Sequence, residues 1–162
     1  MNIKFFFVAI ITLIFTNQKS TEIDTYGESL NIILDSKEYK SITKNRKKYH
    51  VSDEVITYSK LANFFKKELN SINPITLEEI IKNGDNENLK IVKLQKLNIK
   101  KGGCVQIFFS EIQNSIFFAE IFESKKAFDY SNRPHFGVSY VYMFNANSGS
   151  VKLVSKQELI YN

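Results

Sequence analysis

The stretch VQIFFSEIQNSIFFAEIF, residues 105–122, decides the fold. Its halves, Val105 to Ile112 and Ser115 to Phe122, are rich in aromatic and β-branched side chains, and Gln113-Asn114 lies between them. Two such runs around two turn residues predict a β-hairpin. A two-residue loop pairs odd residues of the first strand with even residues of the second. One face then carries Val105, Ile107, Phe109 and Glu111 with Ile116, Phe118, Glu120 and Phe122. The other carries Gln106, Phe108, Ser110 and Ile112 with Ser115, Phe117, Ala119 and Ile121. A three-residue loop would re-sort both sets.

Downstream, Val138 to Phe144 reads as a further strand. The residues from Asn145 to Gly149 turn it into Val151 to Val154, with an extension toward Ile160. Upstream, Leu89 to Ile99 alternates loosely, and Lys101-Gly102-Gly103 is a turn. Before that the texture is helical. Thr25 is placed to cap a helix from Tyr26 to about Asp35, with Tyr26, Leu30, Ile33 and Leu34 on one side. Ser52 is placed to cap a second helix, with Asp53 and Glu54 in its first turn and apolar residues at Val55, Tyr58, Leu61, Phe65 and Leu69. Thr76 and Glu79 form a capping box for a short helix to about Lys82.

Two or three N-terminal helices on a curved antiparallel sheet of four or five strands define an α+β domain. In plan this resembles cystatin-like and nuclear-transport-factor-2-like domains. The likeness is one of layout and rests on no residue motif, so it implies no function.

The chain begins with Lys4 and an almost unbroken apolar run from Phe5 to Phe15, followed by polar residues to Ser20. Eleven helical residues reach roughly 16 Å, short of the ~30 Å hydrocarbon core of a bilayer. Residues 1–20 therefore read as an export signal and residues 21–162 as a single domain, secreted or periplasmic. Ser20 is the best small residue for cleavage, and no small-x-small pair precedes it. Contact with the membrane is expected only through this transient segment.

The formal charge of the whole chain is +5. Much of it lies in Lys37, Lys40, Lys44, Arg46, Lys47 and Lys48, which read as a solvated linker rather than a nucleic-acid surface. No nucleic-acid partner is expected. Cys104 is the single cysteine; it reads as a small buried hydrophobe, since no second thiol exists to bridge it.

Three constellations carry candidate chemistry. Glu120 lies between Phe118 and Phe122, opposite Ile107 in the expected register. It is either a glutamate of a half-exposed sheet or one paired with a lysine, or else a carboxylate at the mouth of a pocket or buried with a raised pKa; the first pair of readings weighs more. The loop from Ala127 to Gly137 gathers Asp129, Tyr130, Arg133 and His135. Asp129 and His135 are candidates for acid–base work, and Tyr130 and Arg133 for ligand binding. A polar loop with Arg133 paired to Asp129 is the plainer reading. Tyr140 and Tyr142, with Phe144, project to one face and either line a pocket or pack as core. No cofactor or metal is expected: neither a phosphate cradle nor metal-ligand spacing accompanies these residues.

These observations favour non-enzymatic binding of a protein or a small apolar ligand. A small hydrolase- or isomerase-type enzyme using Glu120 or the Asp129/His135 pair is the rival. An envelope-associated structural protein is a third reading.

Overall fold

The computed structural model describes residues 22–43, 49–72, 89–98, 105–124, 126, 128–134, 136–147 and 149–161. The segment expected to direct export, the basic residues Lys44 to Lys48, the helix expected from Thr76, Cys104 and His135 lie outside them.

Helix α1 (residues 22–35) and helix α2 (Lys37–Thr43) meet at Ser36. The Ser36 hydroxyl accepts the backbone N–H of Tyr39 at 3.2 Å, so it caps α2 three residues in. The first half of the basic stretch is therefore a capped helix and not a linker. Thr25 lies within α1 rather than at its start.

Strand β1 (Tyr49–Ile56) occupies the place where Ser52, Asp53 and Glu54 suggested the start of a helix. Ser52 does accept the N–H of Glu54, at 3.1 Å, as a capping serine would. Here that local bond stabilises a break in the ladder: Val51 faces Ile107 and Val55 faces Phe109, so β1 carries two extra residues between them. The expected apolar spacing becomes helical only afterwards. It runs through α3 (Tyr58–Ala62), a 3₁₀ turn (Asn63–Phe65) and α4 (Lys66–Ile72). Strand β2 (Leu89–Lys90) is short, and a 3₁₀ segment (Val92–Leu97) replaces the rest of the strand expected up to Ile99.

Strands β3 (Val105–Ser110), β4 (Ile116–Glu123), β5 (Gly137–Asn145) and β6 (Lys152–Tyr161) follow as an antiparallel meander. The sheet order is β2-β1-β3-β4-β5-β6, with β1 parallel to β3. The α+β class holds, with five longer strands and the two-residue β2. The sheet is mixed because a parallel pair can be joined only through a crossover, here containing α3 and α4.

The hairpin turn is Asn114-Ser115, both with positive φ (49° and 66°), closed by reciprocal backbone bonds between Gln113 and Ile116 at 2.8 Å. Between that bridge and the Phe109–Ala119 pair, three residues of one strand (Ser110, Glu111, Ile112) oppose two of the other (Phe117, Phe118). This β-bulge shifts the register by one and re-sorts the expected faces. Ser110 Oγ takes the N–H of Phe118, at 2.9 Å, that the ladder would otherwise use.

One face now carries Ile107, Phe109, Phe117 and Ile121, packed with Tyr142 and Phe144 under Tyr26, Leu30 and Ile33 of α1. The other carries Phe108, Phe118 and Phe122, packed under Tyr58, Leu61 and Phe65. Phe118 stacks on Phe65 at 5.4 Å between ring centroids. Helices thus cover both faces. Each fully buried Phe contributes about 1.5–3 kcal/mol of transfer free energy, so the two cores sustain the sheet without a covalent staple.

Candidate functional site

Glu120 belongs to the face covered by α3. It lies opposite Phe108 on β3, not Ile107, and opposite Val141 on β5. Its relative exposure is 0 %. Neither a half-exposed surface position nor a lysine partner describes it. Instead three hydroxyls hold the carboxylate. Oε1 accepts from Ser139 at 2.6 Å and from Tyr161 at 2.7 Å, and Oε2 accepts from Tyr130 at 2.8 Å.

Three separate elements deliver these donors. Ser139 is on β5, two residues from Val141 and so on the same face. Tyr161 ends β6 opposite Gly137, again on that face. Tyr130 opens a 3₁₀ turn (Tyr130–Asn132) after β4. Its backbone N–H donates to Oε2 of Glu54, on β1, at 2.7 Å, so a second buried carboxylate fixes the loop. Charge-assisted bonds of this kind are roughly twice as strong as neutral ones, and they offset the cost of burying the acid.

The electrostatics follow from the geometry. Burial, and then the adjacent Glu120 carboxylate, push the Tyr161 phenol up to about 12. The same two causes hold Tyr130 far above the usual phenol range, while Arg133 acts in the opposite direction. Both phenols are therefore neutral donors throughout the physiological range. The guanidinium of Arg133 lies over the Tyr130 ring at 4.6 Å and toward the Tyr161 ring at 6.0 Å. Among the described residues it forms this cation–π contact rather than an ion pair with Asp129, which is exposed at the entry to the 3₁₀ turn.

Tyr161 also borders an open groove of about 570 Å³ at the end of the sheet. Its lining includes Ser41 and Ile42 of α2 with Pro134, Phe136, Val138 and Tyr140. Phe122 and Tyr161 also line it. Tyr161 thus borders the groove, and its hydroxyl reaches Glu120.

Of the residues singled out from sequence, Glu120, Tyr130 and Arg133 come together, and Tyr140 lines the groove. Tyr142 does not join them. It is fully buried on the opposite face, its hydroxyl 2.9 Å from that of Ser36 and its ring stacked on Phe144. Sequence reasoning missed Tyr161, Ser139 and Glu54. Continuing the two-residue alternation of β5 into β6 would have put Ser139 and Tyr161 on one face. Glu54 was hidden by the helical reading of β1.

Among the described residues no group of His, Cys, Asp and Glu side chains could hold a metal ion, and no helix is long and apolar enough to cross a membrane. No family model matches the chain, and no curated protein or solved structure matches it.

Proposed function

We propose that this is an exported domain that binds a small apolar ligand and does not catalyse its conversion. The observation that carries this reading is the state of Glu120. The strongest acid–base candidate is fully buried and both its oxygens are engaged by Tyr130, Tyr161 and Ser139. A general base must reach the proton it abstracts, and here three hydroxyls stand in that place. The groove beside it offers what a ligand site needs, an apolar and aromatic wall with a few polar tips. In this reading Phe136, Val138 and Tyr140 grip the ligand.

The test is saturable fluorescence enhancement of 1-anilinonaphthalene-8-sulfonate on the folded protein. Val138→Arg and Tyr140→Ala are expected to abolish the saturable component, and Glu120→Gln to leave it intact. A signal that never saturates, or one untouched by Val138→Arg, would overturn the proposal. The enzyme reading retains one supporting observation, the contact of Tyr161 with both the groove and Glu120. It requires in addition a turnover that Glu120→Gln abolishes while ligand affinity is retained.

A further inference from the structure

We infer that the outer edge of β6 pairs with β6 of a second copy, antiparallel and centred on Gln157, to form a twofold dimer with one continuous sheet. Strand β6 is the terminal strand of the sheet, and among the described strands only β5 pairs with it. It is ten residues long. An edge of that length presents a row of backbone donors and acceptors that template another strand unless the chain blunts it. The β-bulge in this strand lies toward one end: the register shifts at Val154, while Ser155–Tyr161 pairs residue for residue with Met143–Gly137.

A twofold axis perpendicular to the sheet reverses the strand and keeps each side chain on its own face. One residue must then face its own copy, which leaves few registers. Centring on Lys156 sets two lysines against each other, and centring on Glu158 sets two glutamates against each other. Centring on Ser155 leaves Leu159 to Tyr161 without a partner, and centring on Leu159 leaves Lys152 to Lys156 without one. Centring on Gln157 faces Lys156 with Glu158 twice and Ser155 with Leu159 twice. It also faces Val154 with Ile160, 39 % and 67 % exposed, twice. Opposite charges and apolar pairs directly across two strands are the stabilising combinations, and like charges are the destabilising ones. The exposed Val138, paired with Ile160 in the ladder, extends the apolar strip onto β5. The partner is therefore a second copy of this chain, because the strand is complementary to itself.

Sedimentation equilibrium of the full chain and two charge variants tests the dimer. Glu158→Lys faces lysine with lysine at both symmetry-related pairs and is expected to weaken self-association about tenfold or more. Lys156→Glu does the same with glutamates, and it also loses the 2.6 Å bond of Lys156 to Glu38. Mixing the two variants restores both opposite-charge pairs, so a heterodimer is expected where each alone is monomeric. Should Lys156→Glu fail to fold, Gln157→Cys in a Cys104→Ser background replaces it. That variant is expected to form a disulfide-linked dimer under mild oxidation, whereas Lys152→Cys is not. A monomeric wild type, a dimer indifferent to Glu158→Lys, or a Gln157→Cys chain that does not crosslink would each overturn the inference.

Discussion

The phenol of Tyr130 donates to Glu120 at 2.8 Å while its own backbone N–H is held by Glu54 at 2.7 Å, so one residue ties two buried carboxylates from different strands together. The loop after β4 is fastened at this point.

Removing the Glu120 side chain leaves three buried hydroxyls without their acceptor. Glu120→Ala is therefore expected to cost about 3–5 kcal/mol, since breaking a buried polar network strands its partners. Glu120→Gln keeps the shape and one acceptor and is expected to stay within about 1.5 kcal/mol of wild type. Chemical denaturation of both variants checks the ordering; equal losses would contradict it.

Alkaline pH should unfold the protein. An unfolded tyrosine ionises near 10.0, whereas Tyr161 is held to about 12 and Tyr58, also by burial, to about 12. The folded state thus keeps its phenolic protons where the unfolded chain gives them up. The stability these groups contribute is complete below pH 10 and is lost as pH rises through 12. Tyrosinate absorbance near 295 nm should rise together with the loss of circular dichroism, not before it.

At the hairpin turn, Asn114 and Ser115 both adopt positive φ. Asparagine tolerates that region and serine pays for it, since a side chain there costs about 1–2 kcal/mol before glycine's extra chain entropy is set against it. Ser115→Gly is expected to raise stability by about 0.5–1 kcal/mol, giving the Asn-Gly pair that such turns favour. Thermal unfolding reads the gain directly, and a loss would mean the serine hydroxyl has a role.

Thr57 precedes α3 and is 1 % exposed, with its hydroxyl oxygen unpartnered. A buried hydroxyl without a partner costs about 1–3 kcal/mol. Thr57→Val keeps the branched shape and is expected to stabilise the protein by about 1 kcal/mol in urea titrations.

The meander was legible because its information is local. Residues 105–122 show two aromatic runs and a turn, and the α1 stripe of Tyr26, Leu30 and Ile33 needs only helical spacing. Two kinds of feature were not legible. The bulge at Ser110–Ile112 depends on which residues the turn closes on, and one extra residue reverses every face assignment after it. Strand β1 looked helical because a serine that accepts an N–H two residues on is a helix cap in one setting and a bulge in another. Pairing with β3 selects between them, and that pairing is non-local. Glu120 illustrates both: its flanking phenylalanines were visible in sequence, but its hydroxyl donors come from Tyr130, Ser139 and Tyr161, far along the chain.

Tyr26 of α1 donates to the carbonyl of Ser110 across 84 residues of chain, and the α1 stripe packs on residues that run to Phe144. During synthesis the first helix is therefore made long before any surface exists to cover it. The three hairpin-linked strands β3, β4 and β5 close over short sequence separations and are the segment able to assemble first, with α1 and β1 docking afterwards. Long-range pairing of this kind is intrinsically slow to form. A chain interrupted before β3 would hold Tyr26 of α1 without Phe109 and Phe117, the rings it packs on. The α1 stripe is thus covered only once the strands it packs on, far along the chain, have been made.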